Sequence, residues 1–428
     1  MKILFKAGRI VNCDEERVCD LLIEGDRITA IGEGIEDKDA LTFNAMGLLI
    51  MPGFVDMHCH LRDPGYEYKE TIRTGTMAAA HGGFTTIACM PNTNPVVDNK
   101  VVLEYILSKA QKEGVVNVLP IGCITKGLKG EELSEVGELK ENGAIALSDD
   151  GKSVMNSGLM RRAMSYANMW NMLVISHCED LNIAGDGVMN AGYMSTLLGL
   201  KGIPAEAEEV MVSRDAILAL HTGARLHVAH VSTRGSVDVI RWAKKLGARI
   251  TAEVTPHHIS LTDVEVDGYN TDTKVNPPLR TEDDIEALVE GLKDGTIDCI
   301  ATDHAPHGIQ DKSVEYAKAA FGISGLETAF SVVNSYLVKK GYIDYKDVVR
   351  LMSTNPAKIL GLDRGYIKEG AVADIVVIDP EKEYVVDKNK FYSKGKNTPF
   401  DGRALKGVIK MTMVSGKVVY DSEGGIVC

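Results

Sequence analysis

The chain has 428 residues, 45% of them hydrophobic and 25% charged, and its 60 acidic against 47 basic side chains leave a formal net charge of −13. That balance belongs to a globular fold with a sizeable core and excludes disorder as the dominant state. So acidic a surface lacks the positive footprint that nucleic acid or an anionic membrane requires, and no apolar run approaches the ~18 residues of a membrane span.

Met1-Lys2-Ile3-Leu4-Phe5-Lys6 has neither the long apolar core nor the small-residue cleavage site of a secretory signal. The eight cysteines, at positions 13, 19, 59, 89, 123, 178, 299 and 428, form no closely spaced pair and no disulfide framework. They read as buried, reduced thiols of a cytoplasmic protein.

Residues 1–50 hold short strand-like pieces broken by glycine turns, such as Ile3–Phe5, Leu21–Ile23 and Ile28–Ile31. Eight apolar runs follow, each ending in polar residues: Phe54–His60, Thr85–Asn92, Val116–Thr125, Ala144–Asp150, Leu173–Cys178, Arg225–Val231, Arg249–Thr255 and Asp298–Asp303. Intervening stretches such as Glu206–His221 and Glu282–Leu292 place apolar residues at helical spacing. Strands alternating with helices imply parallel βαβ units. Eight in succession predict a (β/α)8 TIM barrel over residues 51–364, with its site at the C-terminal ends of the strands. An open doubly wound sheet has a similar pattern, but polar residues at the strand ends all round the series favour closure. The loop from Ala305 to Ser324 is long, contains Gly308 and Gly322, and reads as a lid. Residues 365–428 return to β character in Ala373–Asp379 and in Val408–Tyr420 around Ser415-Gly416. Together with residues 1–50 they are expected to form a small β-sandwich domain.

The sharpest chemical signal is Asp56-Met57-His58-Cys59-His60 at the end of the first run. Side chains at i and i+2 of a strand share a face, so His58 and His60 converge in the barrel mouth, as ligands of a divalent metal do. His177 and His230 close the fifth and sixth runs, and His227 should face the other way and pack against a helix. Each histidine alone is as readily a packed side chain; three strands ending in histidine are harder to explain by packing. The fourth run ends in Asp149-Asp150 and the eighth in Asp303-His304. A carboxylate at a strand end is often only a helix N-cap, which is an even alternative for Asp149. For Asp150 and Asp303 a nearby metal would compensate the charge. The expected arrangement is His58, His60 and Asp303 on one metal, His177 and His230 on a second, and Asp150 with a hydroxide bridging ions ~3.5–4 Å apart. Asp303 is then placed to accept and return a proton. Arg62 and Asn92 suit a substrate carboxylate, with His307 completing the anion site and Asn276 reading a ring amide. The simpler reading of Arg62 is a surface ion pair.

The segment from Pro52 to Gly65, continuing to Lys69-Glu70-Thr71, resembles the signature of dihydroorotases among the cyclic amidohydrolases. The resemblance extends through Met90-Pro91-Asn92-Thr93, Ser148-Asp149-Asp150-Gly151, His177-Cys178-Glu179, His230-Val231-Ser232, Thr255-Pro256-His257-His258, Asn276-Pro277-Pro278-Leu279-Arg280 and Asp303-His304-Ala305-Pro306-His307. It implies a zinc-dependent barrel, holding one or two Zn2+ ions, that interconverts L-dihydroorotate and N-carbamoyl-L-aspartate in pyrimidine biosynthesis. The implied metal ligands are His58, His60, Asp150, His177, His230 and Asp303, with Asp303 as catalytic acid and base. The implied substrate contacts are Arg62, Asn92, Asn276, His307 and the Phe321-Gly322 backbone. Many relatives bridge the metals with a carboxylated lysine; Asp149-Asp150 here is similar to the bacterial subgroup that bridges with aspartate. A homodimer is expected; some dihydroorotase-like chains that have lost ligands are non-catalytic scaffold partners of aspartate transcarbamoylase, and the six ligand positions present here argue against that as the sole role while leaving such association as an additional one. Hydantoinases, dihydropyrimidinases and allantoinases are the nearest alternatives, and their substrates lack the ring carboxylate that Arg62 would bind.

Overall fold

A computed structural model describes residues 2–427. All eight apolar runs contain barrel strands: β1 (Phe54–Cys59), β2 (Phe84–Cys89), β3 (Asn117–Pro120), β4 (Ala146–Ser148), β5 (Leu173–Ser176), β6 (Arg225–Val228), β7 (Ile250–Val254) and β8 (Cys299–Ile300). They pair in parallel as β1-β2-β3 and as β4-β5-β6-β7-β8. Parallel bridges at Gly122–Leu147 and Cys59–His304 join the two groups, so the sheet closes on itself. Closure, and with it a single mouth into which every strand end points, follows from those two bridges.

Alternate residues of the strands feed two apolar layers. Val55, Met57, Ala88, Ile121, Ala146, Leu173, Ile175 and Cys299 fill the barrel interior. Phe54, Phe84, Val174, Leu226 and Val228 face outward against helix residues such as Val212, Ala216 and Ile240. The helices are cut out by local signals. Asn99 caps Lys100–Glu113 by accepting from Val101 and Val102 N–H, and Thr233 caps Arg234–Lys245 by accepting from Ser236 N–H. Strand parity also places His227 inside the barrel rather than against a helix, because its neighbours Leu226 and Val228 take the outward positions. Its imidazole bonds Glu253 and Thr251 there, which corrects the sequence expectation.

The terminal segments meet in one nine-stranded sheet with its own apolar core of Ile3, Phe5, Leu21, Ile23, Ile375, Val377 and Met413. Strand Leu49–Pro52 links the two ends of the chain, running parallel to Lys2–Val11 and antiparallel to Ile375–Val385. It enters β1 directly through Gly53, whose N–H donates to Asp374 O at 2.9 Å. A Cβ at Gly53 would lie 2.2 Å from the Thr85 side chain, so only glycine passes between the sheet and β2 at this point. The seven described cysteines are all free; six are buried and Cys13 is half-buried, while Cys428 lies outside the described residues. Among the described residues no helix is long and apolar enough to cross a membrane.

Phe54 is fully buried, stacked on Phe330 at 5.7 Å and edge-on to Phe84 at 5.6 Å, at the start of the strand that carries His58. Phe54→Ala should cost about 3–5 kcal/mol of stability by transfer loss plus cavity. Equilibrium denaturation checks this, and a loss below about 1 kcal/mol would contradict the packing described.

Candidate metal centre

At the mouth the chain leaves regular strand geometry. Arg62, His230 and Asp303 take positive φ values of 59°, 33° and 44°, a conformation non-glycine residues seldom hold without surrounding constraint. These turns bring together side chains that strand parity alone would scatter. His58 Nε2 lies 3.4 Å from Asp150 Oδ1 and 3.5 Å from Asp303 Oδ1. His60 Nε2 lies 3.1 Å from Asp303 Oδ1 and 3.4 Å from Asp150 Oδ2. His230 Nε2 is 3.7 Å from Asp150 Oδ1 and 2.9 Å from His177 Nδ1. All six are buried.

Besides His227, Glu253 and Cys299 deeper in the barrel, two trios at the mouth have donor atoms close enough to share one cation. His58, His60 and Asp303 form the first, and His58, Asp150 and His230 the second. His177 stands at the edge of the second trio, with Nδ1 3.7 Å from Asp150 Oδ1. His58 thus faces both trios instead of serving one.

The hydrogen bonds around these side chains fit a cation. His58 Nδ1 donates to Glu253 Oε1 at 2.6 Å, and His60 Nδ1 donates to Asn92 Oδ1 at 2.9 Å. Both imidazoles therefore turn Nε2 toward the carboxylates, the orientation in which such histidines bind metal. His58 Nε2, Asp150 Oδ1 and His230 Nδ1 are buried without a hydrogen-bond partner among the described residues. Unpartnered polar atoms in a buried site are costly unless something else satisfies them. The charge balance agrees. Burial opposes protonation of His58, yet Glu253, Asp150 and Asp303 together push it well above the ordinary imidazole range. The site demands positive charge, and a nitrogen-and-carboxylate donor set suits a divalent metal such as zinc.

Glu253 is the participant that the sequence reading missed. Its Oε1 accepts from His58 and from the His230 N–H at 3.2 Å, and its Oε2 accepts from His227 Nε2 at 3.1 Å. Burial works against its charge, but His58 and His227 prevail and hold it at about 2. A glutamate inside the otherwise uncharged strand Ile250–Val254 was the available signal. Glu179 was also missed. It accepts from His177 Nε2 at 3.4 Å and from Asn276 Nδ2 at 3.2 Å, linking a candidate ligand to a candidate substrate contact.

Asp149 and Asp150 separate cleanly. Asp149 accepts from Ile124 N–H at 2.8 Å, from Thr125 N–H at 3.0 Å and from the Thr125 hydroxyl, tying the end of β4 to the loop after β3. It caps no helix, since the next one begins at the Asn156 cap. Asp150 faces the four histidines.

A cavity of about 180 Å³ opens above the cluster, lined by His60, Arg62, Asn92, Asp150, His177, His230, Asn276, Asp303, Phe321 and Gly322, among others. Arg62 is half-buried, donates to Pro306 O at 3.3 Å, and forms no ion pair among the described residues. It is not the surface ion pair of the simpler reading. His307 stands behind the cavity wall. Its Nε2 donates to Phe321 O at 2.8 Å and its Nδ1 accepts from Lys69 Nζ at 3.2 Å. Burial, with Arg62 and Lys69 nearby, pushes it down to about 2, so the ring is neutral and both its nitrogens are engaged. Its influence on the cavity passes through the Phe321 carbonyl.

The family described as dihydro-orotase-like matches residues 47–236, and the amidohydrolase family matches residues 215–420. The chain is 59% identical over 424 residues to a dihydroorotase of Thermoanaerobacter sp. (strain X514), covering 99% of this chain and 98% of that one. It is 58% identical, with the same coverage, to a dihydroorotase of Caldanaerobacter subterraneus subsp. tengcongensis. Among solved structures it superposes on an L-hydantoinase (dihydropyrimidinase) from Arthrobacter aurescens with a TM-score of 0.90 at 27% identity, covering 100% of this chain and 97% of that chain.

Glu253→Gln keeps the volume but removes the charge that orients His58. Its affinity for zinc should fall about 10–100-fold in a chelator-competition titration, with the circular dichroism spectrum unchanged. Equal affinity would show that Glu253 does not orient a ligand.

Proposed function

The chain belongs to the dihydroorotase family of amidohydrolases, and from that premise we propose that its barrel mouth interconverts L-dihydroorotate and N-carbamoyl-L-aspartate with zinc held by its histidines and aspartates. The observation that carries the substrate assignment is Arg62: a half-buried guanidinium without an ion-pair partner among the described residues, facing the cavity beside the acidic and imidazole cluster. A neutral ring would leave that charge unanswered, whereas a ring carboxylate matches its planar fork.

His58, His60 and Asp303 would hold one ion, and His177 and His230 a second, with Asp150 between them. Bound there, zinc supplies Lewis acidity, which acidifies water and polarises the scissile carbonyl. The protein's own groups do the rest. Arg62, with Asn92, anchors the substrate carboxylate. Asn276 and the Phe321-Gly322 backbone hold the ring amide, and His307 fixes the Phe321 carbonyl from behind. Burial opposes ionisation of Asp303, but His58 and His60 hold it well below the usual carboxylate range, so it is present as the carboxylate that a base must be. Asp303 takes the proton of the attacking water and returns it to the ring nitrogen as the C–N bond breaks. Run backward, the same transfers close the ring. The proposed catalytic unit is residues 51–364, braced by segments 1–50 and 365–428. The same premise extends to a cytoplasmic homodimer able to associate with aspartate transcarbamoylase.

Asp303→Ala should lower turnover of dihydroorotate by at least about 10²–10⁴-fold in a steady-state assay of folded protein. Near-normal turnover would remove Asp303 from the chemistry. Arg62→Met should raise KM for dihydroorotate about 10–100-fold, the worth of a charge-assisted contact. Turnover of hydantoin or dihydrouracil, assayed on the same preparation, should be little affected. An unchanged KM, or a wild type that prefers the uncarboxylated rings, would redirect the assignment to another cyclic amidohydrolase.

A further inference from the structure

Two buried lysines outside the cluster have no role in the scheme above. Lys274 is 2% exposed and Lys312 is 6% exposed, and neither forms an ion pair among the described residues. Lys274 Nζ donates to Tyr316 O at 2.9 Å and Ala317 O at 3.0 Å, and lies 4.5 Å from the centre of the Phe321 ring. Its own carbonyl accepts from Gly322 N–H at 2.9 Å and from Lys312 Nζ at 3.3 Å. Lys312 Nζ also donates to Thr271 O at 3.0 Å, and the Thr271 hydroxyl donates back to Lys312 O at 2.8 Å.

Lys274 is therefore a post to which three points of one loop are fastened: the 316–317 carbonyls, the Phe321 ring and the Gly322 N–H. It sits two residues before Asn276, so it also joins the seventh and eighth barrel loops where both line the cavity. Desolvating an ammonium that has carbonyl dipoles and an aromatic face around it but no counter-ion among the described residues is costly. That cost is offset only while the loop is folded down and all the carbonyls are in place. Burial accordingly pulls Lys274 down to about 8 and Lys312 to about 7. Gly322, at φ 125°, is held against Ala305, where a Cβ would lie 2.7 Å from the Ala305 carbonyl oxygen.

We infer that Lys274 is a positioning residue for the reaction, an ammonium clamp, seconded by Lys312, that sets the Phe321-Gly322 backbone against the substrate. The inference rests on the proposed reading of that backbone as a substrate contact. Its test uses Lys274→Met in the full-length, metal-loaded enzyme, with metal content and melting temperature as controls. KM for dihydroorotate should rise at least tenfold while kcat changes less than threefold, and proteinase K should cut within residues 305–324 at least fivefold faster. A folded Lys274→Met enzyme with wild-type KM and wild-type cleavage would overturn the clamp. If that variant does not fold, Lys312→Met takes its place, with a severalfold rise in KM and faster cleavage expected and no change in either overturning it. A wild type inactive on dihydroorotate would instead indict the proposed function, and the cleavage rates would still decide the clamp.

Discussion

Glu253, Asp150 and Asp303 bring three carboxylates to within 2.6, 3.4 and 3.5 Å of a single buried imidazole, His58. Negative charge at that density, removed from water, cannot persist without a cation at its centre. The rest of the mouth is arranged around this demand. Asn92 and Glu253 turn the neighbouring imidazoles inward, and Asp149 is held aside by the Ile124 and Thr125 backbone so that only its neighbour Asp150 faces the histidines. The price is backbone strain at His230 and Asp303, both at positive φ.

The loop that follows Asp303 is braced from outside the barrel. Residues 393–397 return from the C-terminal segment to brace the eighth loop. Asn397 Nδ2 donates to Gly322 O at 2.9 Å, its Oδ1 accepts from His307 N–H at 3.0 Å, and its carbonyl accepts from Ser324 N–H at 2.7 Å. Nearby, the buried Glu70 carboxylate accepts from His304 Nε2 at 3.3 Å, from Lys394 N–H at 3.2 Å and from the Ser393 hydroxyl. The loop from Ala305 to Ser324 is thus gripped on one side by residues 393–397 and on the other by Lys274. The long, glycine-containing loop forms a braced wall of the cavity in this structure.

The eight-strand pattern was legible because parallel strands buried on both faces are short apolar runs, and each must stop where its residues reach the mouth. His58, His60, Asp150, His177, His230 and Asp303 stood out for the same reason: polar side chains at the ends of apolar runs have no packing role to explain them. Parity failed at β6. Alternation counted through to His230 crosses the break after Val228, and so assigned His227 to the wrong face. Glu253 stayed hidden because its partners His58, His227 and His230 lie on other strands or just beyond them, and Glu179 because the Asn276 amide that it links to His177 comes from a distant loop.

What the chain determined unaided is therefore periodic or local: strand and helix order, caps, and the residue types at each strand end, since these depend on neighbours a few positions away. What only the tertiary structure decided is long-range. Barrel closure through Gly122–Leu147 and Cys59–His304, the sharing of Glu253 by His58, His227 and His230, and the bracing of the eighth loop by Asn397 and Lys274 all join residues far apart in the chain. Such contacts form between groups whose separation in sequence says nothing about their distance in space, and it is burial away from water that makes them strong enough to matter.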